Sequence, residues 1–488
     1  MTHNENTSAL YTDFYSLTMA QGYWKTNMNR RVVFEMFFRR QPFGGGFSVF
    51  AGLQSLIDQL LDFSFSQDDI NYLKSLKIFE DSFLEYLKGF KFTGSLWAFD
   101  EGTIIFPTEP VLRIDGNLIE CQIIEGMLLN TINFQSLIAT KTARIWLASG
   151  KSSVIELGLR RAQGKDGAIS ASRAAYIGGA AVTSNVQAGK IFGIPVVGTM
   201  AHSWIMAFEN EEAAFNAYAD IYPDNSIFLI DTYDTLKSGI QNAIKAGKKL
   251  AARGKKFGVR LDSGDIHYLS MEVRNILDAN GFTDAIISAS NDLDEYIIET
   301  LKNAGAPIDI WGAGTRMITG GNEASFSGVY KMAARENKDK VLEAVMKFSD
   351  NPDKTTNPGV KQVYRIRDEK EMCIADVLVL DDDENREHIE KGCSYSFWHP
   401  SADYRNITHK VTGRAEPLQK KRMENGKLIF TPPSLVEISS FMHRDLDTFD
   451  QSYKRLLNPH IYKISISEKL RSLKLNLIKN YLGTVTWD

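Results

Sequence analysis

The residues best suited to chemistry in this sequence follow short apolar runs, at the point where each run gives way to polar residues. One of the eight histidines, His202 in GTMAHSW, stands just beyond such a run. A histidine placed there acts as acid, base or nucleophile near neutral pH, or it caps a helix or fills the core. Asp231 ends the next run, and a carboxylate in that place can fix the tautomer of a working imidazole. His202 and Asp231 are therefore the candidate catalytic pair.

Four arginines occupy equivalent positions after other apolar runs: Arg160, Arg161, Arg260 and Arg316. The planar guanidinium fork suits carboxylate and phosphate groups, so several arginines close together indicate an anionic substrate with more than one charged group. Each arginine is equally well explained as one half of a structural ion pair. The sequence leaves that choice open for each of them.

A glycine-containing segment, WGAGTRM at 311–317, stands where another of these runs meets the segment that follows it. Gly312, Gly314 and Thr315 place backbone N–H groups where they form either a cradle for phosphate or a simple turn. The segment RLDSGD at 260–265 adds Asp262 and Asp265, whose carboxylates suit ribose hydroxyls or a magnesium-bound phosphate. These two segments are the candidate contacts for a phosphorylated sugar.

The elements that must position these residues lie between about residues 150 and 345, where apolar runs alternate with helical stretches. The runs are 153–158, 194–199, 226–232, 257–262, 285–290 and 308–314, with 328–333 as a seventh. Near-continuous apolar strands alternating with helices are typical of a parallel α/β sheet that is buried on both faces. Their even spacing favours a closed or nearly closed barrel, and the GxGxxG turn of dinucleotide-binding folds follows none of the early runs.

In such a barrel the active site lies at the carboxyl ends of the strands, so the polar residues that follow the runs are expected to meet there. The residues placed in this way are Arg160, Arg161, Thr199, His202, Ser203, Asp231, Thr232, Asp234, Arg260, Asp262, Ser263, Asp265, Ser288, Ser290, Asn291, Asp292, Gly312, Gly314, Thr315 and Arg316. Surface loops are also polar, so the repetition carries more weight than any single residue.

The sequence divides into three zones. They are predicted to be an N-terminal α+β domain at 1–135, an α/β barrel at 136–345, and a C-terminal domain at 346–488 that packs back on the N-terminal domain. The first zone opens with an amphipathic helix at 13–24. In the third zone, ADVLVLDDDEN at 375–385 is similar to the acidic loop of the common phosphoribosyltransferase fold, but the Thr-Gly phosphate stretch does not follow it. We interpret it as a strand entering an acidic turn.

Composition excludes several classes of function. The chain has 488 residues, a formal net charge of −4 and three cysteines without a disulfide or zinc spacing. The net charge argues against a nucleic-acid partner, and the cysteines fit a reducing compartment. The sequence shows neither a signal peptide nor an apolar stretch long enough to cross a bilayer. These features predict a cytoplasmic protein.

Seven segments together resemble the nicotinate phosphoribosyltransferases, in the order in which that family has them. They are TDFYSLTMAQGYW (12–24), LGLRRAQGKDGAISAS (157–172), GIPVVGTMAHSW (193–204), RLDSGD (260–265), ISASNDLDE (287–295), GAGTR (312–316) and GVYK (328–331). The resemblance implies an irregular TIM-like α/β barrel packed on an N-terminal mixed domain, as a homodimer with shared active sites. It also implies transfer of phosphoribose from 5-phosphoribosyl 1-pyrophosphate to nicotinate in NAD salvage, with Mg²⁺ as cofactor and ATP as co-substrate.

The resemblance implies a role for each matching residue. His202 is the residue phosphorylated by ATP, and Asp231 holds it. The residues matched to the nicotinate site are Tyr15, Arg160, Thr199 and Arg260; those matched to the phosphoribosyl pyrophosphate site are Asp262, Gly312, Gly314 and Thr315. Tyr15 stacks on the pyridine ring from the partner subunit. The metal ligands are not identified, and position 316 varies in the family, which leaves Arg316 without a role.

Four alternatives compete with this interpretation. An unrelated metal-dependent barrel hydrolase is expected to have histidine pairs at metal-ligand spacing, and the sequence of the predicted barrel has none. The same fold can use nicotinamide, but the paired arginines in LRRAQG are similar to the nicotinate branch, and a carboxylate substrate explains an additional cation. Quinolinate-using relatives are shorter and lack the histidine segment. A member without activity that serves as a binding protein is expected to lack His202, Asp231 or the GAGT segment, and all of these are present.

Overall fold

Two units of different architecture make up the chain. The structure, a computed structural model, describes residues 8–349, 354–390, 394–400, 406–410 and 413–483. The first unit contains both Met1–Leu137 and Ser325–Asp488, and the second is Ile138–Ala324. The second unit is therefore inserted into the sequence of the first, with one crossing point inside the long helix Glu125–Ala148.

The first unit contains a seven-stranded antiparallel sheet built from both ends of the chain. Its order is β13-β12-β1-β5-β3-β19-β20. The strands are β1 (Arg31–Phe38), β3 (Ser95–Ala98), β5 (Leu112–Asn117), β12 (Gly328–Glu336), β13 (Leu342–Ala344), β19 (Lys420–Glu424) and β20 (Lys427–Leu428). Strand β1, RVVFEMFF, is buried along most of its length because β5 pairs with one of its edges and β12 with the other.

A second sheet of the first unit comes from the C-terminal segment. Its order is β17-β16-β21-β15-β14-β18, and β2 and β4 form a separate pair. The strands are β2 (Ser48–Val49), β4 (Ile104–Ile105), β14 (Lys361–Arg367), β15 (Cys373–Leu380), β16 (Ser394–Trp398), β17 (Asn406–Lys410), β18 (Arg414–Pro417) and β21 (Ile464–Ile466). The segment at 375–385 is confirmed as a strand that enters a polar turn after Leu380.

Helices of the first unit cover these sheets. They are α1 (Phe14–Lys25), α2 (Leu53–Asp62), α3 (Gln67–Ser75), α4 (Asp81–Lys88), α5 (Leu118–Ile123), α15 (Arg386–Glu390), α16 (Leu435–Asp447), α17 (Gln451–Lys454) and α18 (Glu468–Gly483), with α6 (Glu125–Ala148) running on into the second unit. One hydrophobic core joins α1 to α6 with residues of the C-terminal segment such as Val363 and Leu470.

The second unit is a parallel α/β sheet of six strands, which confirms a mixed α/β fold. Its order is β7-β6-β11-β10-β9-β8. The strands are β6 (Ser153–Glu156), β7 (Val182–Thr183), β8 (Ser226–Leu229), β9 (Phe257–Leu261), β10 (Ile286–Ala289) and β11 (Ile310–Ala313). The helices are α7 (Gly164–Ile177), α8 (Val186–Phe192), α9 (His202–Met206), α10 (Glu211–Ile221), α11 (Ile240–Ala251), α12 (Ile266–Ala279), α13 (Glu295–Asn303) and α14 (Thr315–Ile318). Because the first strand, β6, pairs with the last, β11, the sheet curls as part of a barrel does.

The sheet does not close by backbone hydrogen bonds within residues 138–324, all of which are described. The run predicted as a strand at 194–199 forms only a one-residue bridge, Val196 to Thr183 beside β7. Pro195 lacks an N–H group, which limits the ladder that this segment can form. An opening therefore remains between this segment and β8, and a closed barrel is not observed.

The seventh predicted barrel strand is wrong. The segment that begins at Gly328 is β12, which pairs antiparallel with β1 in the sheet of the first unit. A strand buried on both faces has the same apolar pattern in a parallel and in an antiparallel sheet, so the pattern alone does not identify its neighbour.

Candidate functional site

Arg260 connects the two sides of the opening in the parallel sheet. It projects from β9, and its Nη1 donates to Thr199 Oγ1 at 2.8 Å while its Nη2 donates to the carbonyl oxygen of Met200 at 3.0 Å. The remaining nitrogen, Nε, is buried and has no hydrogen-bond partner among the described residues. The guanidinium is thus held in one orientation while its Nε–H lacks an acceptor.

The electrostatic environment of Arg260 favours an anion. Burial lowers the pKa of its guanidinium, whereas the carboxylates of Asp262 and Asp231 raise it and the charge of Arg160 lowers it. Arg160 lies on the exposed turn Leu159–Arg161 that follows β6. An anion placed between the two arginines offsets both the desolvation of Arg260 and the repulsion between the two positive charges.

His202 begins helix α9 and is about two-fifths exposed. Its Nδ1 lies 3.1 Å from Thr232 Oγ1, and its Nε2 lies 3.7 Å from Asp262 Oδ2. The Nδ1 hydrogen bond sets the ring plane, which leaves Nε2 facing a carboxylate at more than hydrogen-bond distance. Nε2 is therefore the ring nitrogen that can react with a ligand.

Asp231 follows β8 and links it to the end of β9 through its carboxylate. Its Oδ2 accepts hydrogen bonds from the backbone N–H of Asp262 at 3.0 Å and from Ser263 Oγ at 2.6 Å. Its Oδ1 is buried and has no hydrogen-bond partner among the described residues. The partner of His202 Nδ1 is Thr232, one residue further along the chain, so a direct contact from Asp231 to His202 stays a prediction.

Asp262 is the other carboxylate at this end of the sheet. Ser290 Oγ donates to its Oδ1, which leaves Oδ2 turned toward His202. The residue after Ser290 is Asn291, whose φ of 123° lies in the left-handed region. Strain of this kind in a non-glycine residue often accompanies a functional site. The structure thus brings Thr199, His202, Arg260 and Asp262 together at one end of the sheet.

The glycines of GAGTR fit closely against the strand-end loops. A Cβ on Gly312 would lie 2.7 Å from Leu157 Cδ1, so a side chain there requires movement. Helix α14 begins directly after Gly314, at Thr315. The Arg316 guanidinium lies 3.6 Å from Asp294 Oδ2, which supports the ion-pair explanation of that arginine. The phosphate cradle itself stays a prediction.

One buried carboxylate, which lies beneath the turn that carries Arg160, was not predicted from the sequence. Glu156, the last residue of β6, is almost fully buried and accepts hydrogen bonds from Gly158 N, Ser172 Oγ and Thr183 Oγ1. These bonds fix the start of the turn that carries Arg160. The detectable signal is a carboxylate inside the apolar run SVIE, a position that a buried strand rarely gives to a charge.

Two aspartates of the strand-end set have local structural roles. Asp234 accepts hydrogen bonds from the backbone N–H groups of Leu236 and Lys237, and Asp265 accepts one from Tyr268 N at the start of α12. The backbone hydrogen bond from Lys237 is the main reason why the pKa of Asp234 is lowered. Both are helix caps of the usual kind.

Tyr15 lies in the first unit, near the start of α1, and is about half exposed. Its hydroxyl donates to Glu125 Oε2 at 3.3 Å. Burial, followed by the charge of Glu125, raises the pKa of the phenol. The exposed face of its ring and the anchored hydroxyl suit stacking on a flat ligand.

Metal and membrane features are absent from the part of the chain that the structure describes. There, no group of three or more His, Cys, Asp or Glu side chains is arranged to hold a metal ion. None of the helices described above is both long enough and apolar enough to traverse a bilayer.

Three family models match consecutive parts of the chain. The nicotinate phosphoribosyltransferase N-terminal domain matches residues 10–133, the nicotinate phosphoribosyltransferase family model matches 153–375, and the C-terminal domain of the same enzymes matches 360–474. Together these matches span both units of the structure.

Individual relatives agree over nearly the whole length. The nicotinate phosphoribosyltransferase of Bacillus subtilis is 41% identical over 477 residues, which cover 97% of this chain and 96% of that protein. The human nicotinate phosphoribosyltransferase is 31% identical over 523 residues, covering 95% of each chain. The crystal structure of human nicotinic acid phosphoribosyltransferase superposes with a TM-score of 0.84 at 29% identity, covering 96% of this chain and 99% of that one. On these matches and the shared fold, the chain belongs to the nicotinate phosphoribosyltransferase family.

Proposed function

We propose that this protein transfers the phosphoribosyl group of 5-phosphoribosyl 1-pyrophosphate to nicotinate in the cytoplasm, giving nicotinate mononucleotide and pyrophosphate for NAD salvage. The observation that carries the proposal is the hydrogen bonding of the Arg260 guanidinium. Thr199 and Met200 orient it, while its Nε–H has no hydrogen-bond partner among the described residues. A carboxylate between Arg260 and Arg160 satisfies that donor and both charges. Nicotinate has such a carboxylate, and its neutral amide does not.

The reaction requires charge stabilisation more than covalent chemistry. The pyridine nitrogen attacks C1 of the ribose while the C1–oxygen bond to pyrophosphate breaks, and the bonding electron pair leaves with the pyrophosphate. Positive charge builds on the ribose and negative charge on the leaving group. The Asp262 carboxylate is suited to hold the ribose hydroxyls, and the backbone at Gly312, Gly314 and Thr315 is suited to receive the phosphate.

ATP hydrolysis is coupled to this transfer through His202. Thr232 holds Nδ1, so Nε2 attacks the γ-phosphorus of ATP and the bond from that phosphorus to the bridging oxygen breaks, releasing ADP. Water later cleaves the phosphorus–nitrogen bond and releases phosphate. Asp262 Oδ2, at 3.7 Å from Nε2, can hold the proton that the imidazole gives up or takes back.

Mg²⁺ enters with the phosphates of the substrates. The buried Asp231 Oδ1, which has no hydrogen-bond partner among the described residues, and the Asp262 carboxylate are oxygen donors of the type that Mg²⁺ prefers. These two residues would hold the ion together with substrate oxygens. When bound, it neutralises negative charge on the phosphate groups.

A pyrophosphate-release assay with 5-phosphoribosyl 1-pyrophosphate and Mg²⁺ tests the substrate. Nicotinate, nicotinamide and quinolinate are compared, each with and without ATP, using the wild type, His202→Ala and the control His267→Ala. His267 is a half-buried residue of α12, and its Nε2 lies 3.1 Å from the carbonyl oxygen of Ala304. We expect turnover with nicotinate, stimulated by ATP in the wild type and the control, and slow, ATP-independent turnover in His202→Ala.

The outcomes separate the parts of the proposal. Preferred use of nicotinamide contradicts the assigned substrate, and ATP stimulation that survives His202→Ala contradicts the phosphohistidine. Absence of turnover with all three pyridines contradicts the proposed activity as a whole and favours a binding role.

The active sites are shared in a homodimer, with Tyr15 supplied by the partner subunit. Mixed dimers of Tyr15→Ala and Arg260→Gln chains test this arrangement. If the sites are shared, the mixed dimer has one site with both residues intact, so activity at low nicotinate returns to about half that of the wild type. If each chain completes its own site, both sites of the mixed dimer are defective and no activity returns.

A further inference from the structure

A cavity of about 300 Å³ lies within the first unit, on elements that supply none of the candidate site residues. Its wall comes from the start of α2, the turn after β3, the β19–β20 hairpin and helix α16. Leu53, Phe430 and Phe441 are among its apolar lining residues. The volume is at the lower end of the range for small-molecule sites, and two aromatic rings in the wall favour a flat ligand.

The carboxylates around this cavity are already engaged. Asp100 accepts hydrogen bonds from Lys420 and Arg422, both at 2.5 Å. The Glu101 carboxylate accepts from two backbone N–H groups at the start of α2. Glu437 accepts from the backbone N–H and the hydroxyl of Ser434 in the capping box of α16. All three carboxylates are therefore already hydrogen-bonded within the protein, and Asp100 is also paired with two cations.

Both arginines of the cavity wall have side-chain N–H groups without an acceptor among the described residues. Arg444 is exposed, and its side chain forms no hydrogen bond or ion pair with any of the described residues. Arg422 is 6% exposed and stacks on Phe430, with 4.8 Å between its guanidinium carbon and the ring centroid. Its Nε is buried and has no hydrogen-bond partner among the described residues, although its Nη2 binds Asp100. A buried N–H group without an acceptor costs about 1–3 kcal/mol, which a ligand oxygen can recover.

We propose that this cavity is a second ligand site and that it binds an aromatic carboxylate. The ring lies against Phe430 and Phe441, and the carboxylate accepts hydrogen bonds from Arg444 and from Arg422 Nε. A single uncommitted guanidinium suits one negative charge, because its planar fork matches a carboxylate in two parallel hydrogen bonds. The inference does not depend on the proposed enzymatic function, since no residue of that site lines the cavity.

Calorimetric titration of the full-length protein with 2-naphthoate tests this proposal, with 2-naphthamide as the neutral analogue. Saturating nicotinate is present throughout, so that a pyridine carboxylate pocket elsewhere is blocked. The protein is the wild type, Arg444→Gln, Arg444→Lys or the control Arg253→Gln. Arg253 is also an exposed arginine, and it pairs with Asp220 in the second unit.

We expect saturable binding of 2-naphthoate to the wild type, with a Kd at least ten-fold lower than that of 2-naphthamide. Arg444→Gln raises the Kd at least five-fold, Arg444→Lys raises it less, and Arg253→Gln leaves it unchanged. Equal affinities for the acid and the amide, a Kd that Arg444→Gln does not change, or no saturable binding to the wild type each overturn the proposal. Thermal unfolding of the four proteins shows that the folded state is retained.

Discussion

Each of the two units contains a group of arginines and aspartates. The two groups consist of the same residue types, but the side chains of the group in the first unit are more completely paired. In the first unit, Arg365 is fully buried, binds both oxygens of Asp376, and donates to the carbonyl oxygen of Ile104. It also lies 3.3 Å from Asp445 Oδ2. In the second unit, Arg260 keeps an unpartnered Nε.

This difference indicates which charged side chains stabilise the fold and which can bind a ligand. A buried arginine whose donors are occupied by carboxylates and a carbonyl has nothing left for a ligand, so its contacts serve the fold. An arginine that is oriented by two acceptors and retains a donor is prepared for an anion. Residue type alone does not distinguish the two cases, because the sequence contains Arg-Asp combinations in both units.

The largest expected contrast comes from removing one arginine from each group. Arg365→Met leaves Asp376 buried without its arginine and removes one of the two arginines beside Asp445, so we expect the free energy of unfolding to fall by about 3–5 kcal/mol. Arg260→Gln is expected to lower kcat/KM for nicotinate about 100-fold while changing the stability by less than about 1 kcal/mol. Denaturant unfolding and steady-state kinetics measure both quantities in each variant.

Arg253→Met serves as the control for this pair, because Arg253 forms an exposed ion pair and is expected to affect neither quantity measurably. The comparison fails if Arg260→Gln destabilises the protein as much as Arg365→Met, or if it leaves kcat/KM unchanged.

A smaller effect is expected at Glu109, beside the same buried cluster. Burial first, and then the neighbouring Asp376, raise the pKa of its carboxyl group well above the usual value. The folded protein thus keeps a proton on Glu109 at pH values at which the unfolded chain has lost it. Because the folded state binds more protons, the free energy of unfolding falls as the pH rises from the unfolded pKa toward the raised folded pKa.

In Glu109→Gln, the side chain no longer binds a proton as the pH falls, but its amide N–H group can still donate a hydrogen bond to Asp376. We expect the wild type to lose stability relative to the variant between pH 5 and 8, with a slope of up to about 1.4 kcal/mol per pH unit. Urea unfolding at several pH values measures the difference, with Asp220→Asn as an exposed control. Parallel curves for wild type and Glu109→Gln would contradict a protonated Glu109.

The smallest effect is expected at Asp265, which shares the RLDSGD segment with Asp262. Asp265→Ala removes the hydrogen bond to Tyr268 N and should cost about 1 kcal/mol of stability, with activity within about two-fold of the wild type. Asp262→Ala, the matched control, should lower activity more than ten-fold at nearly unchanged stability. Similar activity losses in both variants would show that Asp265 also contacts a substrate.

The sequence predicts the strands of the second unit well where they are long and apolar, as at 257–262 and 308–314. It misses β7, which is only Val182–Thr183, because two residues are too few to form a recognisable pattern. It places a strand at 194–199, where a proline limits pairing to a bridge at Val196. It also assigns β12 to the wrong sheet, because an apolar pattern reports burial and not the identity of the neighbouring strand.

At the site, the sequence predicts which residues gather but not which atoms bind each other. Arg260 and Asp262 come from the carboxyl end of β9, and Thr199 and His202 come from the end of the run at 194–199 and the segment after it. The shared carboxyl end of a parallel sheet is sufficient to bring the two pairs together. The choice of Thr232 over Asp231 as the partner of Nδ1 depends on side-chain directions after β8, and these are set by the loop conformation.

The insertion of one unit into the other has a consequence for the nascent chain. Strand β1 pairs on one side with β5, which is made soon after it, and on the other with β12, which follows the inserted unit. At about 5–20 residues per second, translation of the roughly 210 residues between β5 and β12 takes about 10–40 s. During that interval one apolar edge of β1 remains unpaired while the chain is on the ribosome. Chaperones recognise unpaired edges of this kind, and such edges are also prone to aggregation. The first unit is therefore begun before the inserted unit and completes the pairing of β1 only after it.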